Sequence, residues 1–196
     1  LAHFLPDVNP LVRAPGQSVE AFLDEKVADL ENAIIELGAD NVAAFIAEPV
    51  LASGGVIVPP PGYHKRCIEV CHKHDVLYIS DEVVTAFGRM GHWFASSDVF
   101  GIQPDIITCA KGLTSGYVPM GAVMMSDHVY ETIAESAGAK AVGHGFTYSA
   151  HPVSAAVALE VLALYEGGLF ENGIRAGKRL MAGLNGLRDH PLVGDV

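Results

Sequence analysis

Pro104-Asp105-Ile106-Ile107-Thr108-Cys109-Ala110-Lys111-Gly112 is the stretch that decides the fold. It is an apolar run of strand length that ends on a lysine and passes into Gly, Thr, Ser and Pro. Upstream, Val76-Leu77-Tyr78-Ile79-Ser80-Asp81-Glu82 has the same form, with carboxylates at its exit. Val42-Ala43-Ala44-Phe45-Ile46-Ala47 ends likewise at Glu48-Pro49, and Gly121-Ala122-Val123-Met124-Met125 follows Lys111. Continuous apolar strands alternating with helices predict an α/β fold whose largely parallel sheet is buried on both faces.

Working outward, residues 1–17 read as loop, punctuated by Pro6, Asn9-Pro10 and Pro15-Gly16. Ser18 is placed to cap a helix running through Leu37, with Gly38 just past its end. Val27, Leu30, Ile34 and Leu37 recur at helical spacing and mark its apolar face. A second helix is expected from Tyr63 to His74, after a Gly- and Pro-rich loop from Ser53 to Gly62. Gly88 to Gly101 reads as loop, and Ser126 caps a short helix that fades near Gly138. Ala155 to Tyr165 is rich in Ala and Leu, and a further helical pattern runs from Leu169 to Leu187. The break at Tyr165-Glu166-Gly167-Gly168 sets the expected domain boundary, with one unit over 1–165 and a second over 166–196.

A chain of 196 residues, 50% hydrophobic and 18% charged, can bury a real core and is not a disordered composition. Its net charge of −11 argues against a nucleic-acid surface, which needs Lys and Arg to displace counterions. Three unevenly placed cysteines make no disulfide framework, so a reducing, cytoplasmic setting is expected. No unbroken apolar run reaches the ~18 residues of a membrane span. The first residues lack the basic and apolar regions of a signal peptide. The chain opens on Leu1 and stops at Val196 with no stop-like tail, so both ends are expected to be cuts through a longer protein.

In open α/β sheets, ligands gather beyond the carboxyl ends of the strands. Glu48, Asp81 and Lys111 all fall just past such ends and are the candidate residues. Singly, each has an ordinary reading: an acid at a strand exit caps a turn, and a lone lysine is solvated. Together on one edge, a lysine amine and a carboxylate are what is needed to hold and polarise an aldehyde cofactor. An enzyme is therefore the leading reading. A nucleotide hydrolase could also place Asp81-Glu82 at a strand exit, but its G-x-x-x-x-G-K-[ST] loop is absent here. A catalytically inactive interaction module is the third reading. Cys67, Cys71, His72 and His74, with His64 nearby, could suggest a metal site but match no zinc spacing, and buried free thiols on an amphipathic helix are the ordinary reading. Met120, Met124 and Met125 read as core filler, and His144 and His151 as loop-ordering residues.

Asp81-Glu82-Val83-Val84-Thr85-Ala86-Phe87-Gly88-Arg89-Met90-Gly91, with Pro104-Asp105-Ile106 and Ala110-Lys111-Gly112-Leu113-Thr114-Ser115-Gly116-Tyr117, resembles the class III pyridoxal-phosphate-dependent aminotransferases. The resemblance is strongest to ω-amino acid and amine:pyruvate transaminases. Ala47-Glu48-Pro49-Val50 and Gly145-Phe146-Thr147-Tyr148-Ser149-Ala150-His151-Pro152 fit the same family, in order and at suitable spacing. The resemblance implies a fold-type I transferase, with 1–165 the later part of the large cofactor domain and 166–196 the linker helix and start of the small one. It implies pyridoxal 5'-phosphate as cofactor, an amine or ω-amino acid as donor, a keto acid such as pyruvate as acceptor, and a homodimer.

By the same resemblance, Lys111 would bond covalently to the cofactor and later move the proton, a role that burial of its amine would favour. Asp81 would pair with the pyridinium nitrogen, Val83 would pack on the ring, and Thr147 would bind the phosphate in the other subunit. Phe87, Arg89 and Trp93 are assigned to loop packing and ion pairing. Ala86 stands where the family favours Gly, and Val84 where relatives often carry Gln. Ser53 stands where ornithine and γ-aminobutyrate aminotransferases carry a gating glutamate, which turns the expectation away from those substrates. Related aminomutases, racemases, decarboxylases and phospho-lyases share the motif. The family's phosphate loop would precede Leu1, and its acceptor-binding arginine would follow Val196.

Overall fold

The computed structural model of the chain describes residues 2–136 and 144–196. Its elements follow the apolar pattern closely. Helix α1 (Val19–Leu37) starts at Ser18, whose hydroxyl accepts from the Ala21 amide at 3.0 Å. It ends at Gly38, which takes the positive φ of 81° that the cap requires. Strand β1 (Ala44–Ala47) leads through a proline-rich loop into α2 (Tyr63–Lys73) and strand β2 (Leu77–Asp81). A short helix α3 (Ala95–Asp98) precedes β3 (Ile106–Cys109), and β4 (Ala122–Met125) follows.

The sheet has the order β1-β2-β3-β4. β1 and β2 are parallel, as are β2 and β3, whereas β4 returns antiparallel to β3. The parallel part is what brings several strand carboxyl ends to one edge.

One face of the sheet carries the core. Tyr78 and Val76 pack with Val27, Leu30 and Ile34 of α1 and with Cys67, Ile68 and Cys71 of α2, and Phe45 packs beside them. Each fully buried side chain of this size stabilises the fold by roughly 1.5–3 kcal/mol. The opposite face departs from the expectation of a sheet buried on both sides. The register aligns Ile46, Ile79, Ile106 and Met125 in one row, and Ile46 is 56% exposed. The next row aligns Asp81, Thr108 and Val123, and Val123 is 62% exposed. Met124 and Met125 are likewise not core residues but more than a third exposed. Apolar strand composition reported a buried face that this chain does not itself cover.

Ser126 caps α4 (Asp127–Glu135), as expected, and the expected fade near Gly138 lies outside the described residues. Helix α5 (Pro152–Leu164) runs through a π turn, Tyr165–Leu169, into α6 (Phe170–Leu184). The kink falls at Gly168, whose φ is 111°, inside the stretch read as a boundary. Followed through that kink, Pro152–Leu187 is long and apolar enough to cross a membrane by length and composition, which the unbroken-run reading did not register. Glu160, Glu166 and Glu171 interrupt it, and Ala158 and Val161 are buried against this chain's own side chains.

Candidate active site

Parallel pairing places Asp81, the last residue of β2, in register with Thr108 on β3. The Glu82 amide extends the ladder by donating to the Thr108 carbonyl at 2.8 Å. Side chains alternate along a strand, so Asp81 belongs to the open face while Ser80 and Glu82 turn inward, at 1% and 0% exposure. Asp81 is half-buried, and its Oδ1 accepts from the Val83 amide at 3.0 Å. Its Oδ2 has no partner among the described residues. Val83, also half-buried, therefore starts a loop whose entry is set by the Asp81 carboxylate itself.

Lys111 stands just beyond β3 and opens the 3-10 turn Lys111–Thr114 with a φ of 29°. A non-glycine residue in that region is held there by its surroundings. The hold is visible. The Leu113 amide donates to the Ala110 carbonyl at 2.7 Å, the Ser115 amide donates to Gly112 at 3.2 Å, and the Thr114 hydroxyl donates to Val118 at 2.7 Å. Gly112 is required by close approach, because a Cβ there would lie 2.7 Å from Cβ of Phe87. The Lys111 side chain itself is exposed, with no hydrogen bond or ion pair among the described residues. The expected burial of the amine is thus not met within this chain.

The other candidates divide. Glu48 lies on the same edge beyond β1, yet its Oε2 accepts from the Ala52 amide at 3.1 Å and serves its own turn. Thr147 is exposed in the turn 147–150, where the Phe146 amide donates to Ser149 Oγ at 3.1 Å. No hydrogen bond joins Thr147 to Asp81 or Lys111. His144 packs on Phe146 at 5.4 Å and His151 lies 6.2 Å from Tyr148, in keeping with loop ordering. Trp93 meets Phe87, Tyr165 and Phe170 edge-on, the nearest at 4.7 Å. Arg89 is exposed and makes no ion pair among the described residues, contrary to expectation.

Residues to which the sequence reading gave no role at the site hold the edge in place. Glu82 accepts from Thr85 Oγ1 at 2.8 Å, from the Ala95 amide at 2.8 Å, and from the Ser96 amide and hydroxyl at 2.7 and 2.6 Å. These bonds anchor the start of α3 to the exit of β2. His64 bridges Tyr78 Oη at 2.8 Å and the Pro49 carbonyl at 2.9 Å. A carbonyl only accepts, so Nε2 carries the proton and Nδ1 accepts from the phenol. Burial holds His64 below its ordinary value of 6.5, opposed by its bond to Pro49 and by Glu82. Burial also pushes the thiols of Cys67 and Cys71 up to about 12, which makes them poor nucleophiles. Strand alternation could have flagged Glu82 as inward, and helical spacing puts His64, Cys67 and Cys71 near one face of α2, but their partners are too far away in sequence to be read from it.

A groove of about 630 Å³ along α6, lined by residues such as Arg175 and Arg179, carries none of the motif residues. The chemistry-bearing arrangement is instead the open edge of β2 and β3. There an accessible amine and a carboxylate with one unpartnered oxygen stand on adjacent strands, beside an apolar side chain.

Comparison with known proteins gives the family of the chain as a whole. The class III aminotransferase family matches residues 2–196. A γ-aminobutyrate transaminase of Solanum lycopersicum is 43% identical over 93% of this chain and 36% of its own length. A vanillin aminotransferase of Capsicum frutescens is 44% identical over 93% of this chain and 40% of its own. The solved ω-transaminase of Pseudomonas jessenii in complex with PMP is 45% identical with a TM-score of 0.90, covering 96% of this chain and 42% of that one. An (S)-enantioselective ω-transaminase of Thermomicrobium roseum is 44% identical with a TM-score of 0.89, over 98% and 42%. The chain thus spans 36–40% of the length of these curated relatives. The expectation from Ser53, away from γ-aminobutyrate, gains nothing from the relatives' names.

Proposed function

This chain belongs to the class III aminotransferase family, and from that premise we propose that it carries the covalent cofactor site of a transaminase. The proposed reaction moves an amino group from an amine or ω-amino acid to a keto acid such as pyruvate, with pyridoxal 5'-phosphate as cofactor. The observation that carries the reading is that Asp81 and Lys111 stand at the exits of two neighbouring parallel strands, Asp81 closing β2 and Lys111 just beyond β3.

The donor set suits pyridoxal phosphate. Lys111 offers an accessible amine, Asp81 offers a carboxylate oxygen without a partner among the described residues, and Val83 adds apolar surface beside them. When bound, this cofactor supplies an electrophilic aldehyde and a ring that takes up the electron pair of a broken C–H bond. Lys111 would hold the cofactor through its accessible amine, and that same amine would serve as the base that takes up and returns a proton. Asp81 Oδ2 would hold a proton at the cofactor's ring nitrogen, while the hydrogen bond from the Val83 amide restrains the other carboxylate oxygen. Val83 would help hold the cofactor by packing its apolar side chain against the ring. Thr147, on an exposed turn, would bind the phosphate of a second copy, which makes a homodimer the proposed active unit.

The test is a transfer assay on the complete polypeptide that carries these residues. Amine and ω-amino acid donors, γ-aminobutyrate included, are each paired with pyruvate and with 2-oxoglutarate in the presence of pyridoxal phosphate. Amino transfer to at least one acceptor is expected. Transfer from no donor, or equal transfer by the Lys111→Ala variant, would refute the proposal.

A further inference from the structure

We infer that Tyr165 is a positioning residue for Lys111, fixing the turn that presents the amine and tying that turn to the Asp81 loop. This rests on the reading of Lys111 as the cofactor-bearing residue. Tyr165 stands at the join of α5 and α6, and its phenol donates to the Gly112 carbonyl at 2.8 Å. The same oxygen lies 3.0 Å from Ser115 Oγ. Gly112 and Ser115 belong to a turn bracketed by two non-glycine residues with positive φ, Lys111 at 29° and Ser115 at 49°. Such a backbone persists only where neighbours over-determine it. Without the phenol, the Gly112 carbonyl keeps only the longer 3.2 Å bond from the Ser115 amide.

The ring of Tyr165 makes the second connection. It stacks on Phe87 at 6.3 Å with 16° between planes, and on Phe170 at 5.1 Å with 17°. Phe87 belongs to the loop that Asp81 and Val83 begin, and its Cβ is the atom that leaves no room for a side chain on Gly112. One side chain thus touches the Lys111 turn, the Asp81 loop and the first residue of α6. It does so at the π turn where the helix bends at Gly168. A change in the angle between α5 and α6 would be felt at Lys111 through this contact.

The discriminating variant is Tyr165→Phe in the complete polypeptide, which keeps the stacked ring and removes only the hydroxyl. Without cofactor, amide exchange within 112–117 should rise roughly two- to tenfold, the equivalent of one lost hydrogen bond. Exchange in α1 and β1 should stay unchanged. With cofactor bound, the pH midpoint of its visible absorbance should shift and kcat should fall more than KM. Unchanged exchange within 112–117, or a rise shared equally by α1 and β1, overturns the role of Tyr165. Borohydride trapping on the unsubstituted protein separates the two levels: absence of label at Lys111 sinks the functional reading and this role with it. Label at Lys111 together with unaltered exchange in the variant sinks the role of Tyr165 alone.

Discussion

At the scale of single residues, the account turns on unequal roles for two charged side chains. Lys111 is proposed to form the covalent link, so Lys111→Ala should abolish trapping and turnover together. Asp81 only holds a proton on the ring, so Asp81→Ala should still be trapped while losing ~10²–10³ of the rate, the scale of one lost electrostatic partner. Single-turnover kinetics on the two purified variants separate these outcomes, and equal losses in both would count against the division of labour. The buried thiols give an independent check at the same scale. Cys67 and Cys71, with pKa values near 12, should resist alkylation at pH 8 in the native protein and react fully in denaturant. Rapid native labelling of either would show that α2 does not bury them. Lys111 and Asp81 were legible in the sequence because the motif surrounding each is local. Glu82 and Tyr165 were not, because what makes them matter is contact with Ser96 in one case and with Gly112 and Phe87 in the other.

At the scale of elements, the apolar runs identified every strand to within two residues at either end. They could not reveal which face a helix covers. Ile46 and Val123 belong to apolar strands yet lie on the open side, because composition records the burial a strand is built for rather than the cover one chain provides. The link between β2 and α3 is the element-scale feature with the clearest energetic consequence. Glu82→Ala removes the acceptor from four buried hydrogen bonds and leaves those donors unpaired. A loss on the order of 3–5 kcal/mol in unfolding free energy is expected, since each buried donor left without a partner costs roughly 1–3 kcal/mol. Denaturant unfolding measures it. A loss under about 1 kcal/mol would mean that the anchor between strand and helix is not as described.

At the scale of the whole molecule, stability should carry the signature of the imidazole between Pro49 and Tyr78. The folded pKa of His64 lies below its ordinary value of 6.5, chiefly through burial, so the unfolded chain binds the proton first. By linkage, stability is full above pH 6.5 and declines as pH falls from there toward the folded value. His64→Gln should flatten this acid limb when urea midpoints are compared between pH 7 and pH 5. An unchanged slope would place the acid sensitivity elsewhere.

The open sheet face, the exposed Lys111 amine and a span of less than half the length of related transaminases belong together. The most direct measurement is borohydride reduction of the complete polypeptide after incubation with pyridoxal phosphate, followed by peptide mapping by mass spectrometry. The account predicts a single reduced pyridoxyl adduct on Lys111, retained in Asp81→Ala and missing in Lys111→Ala. An adduct confined to any other lysine, or none at all, would contradict it.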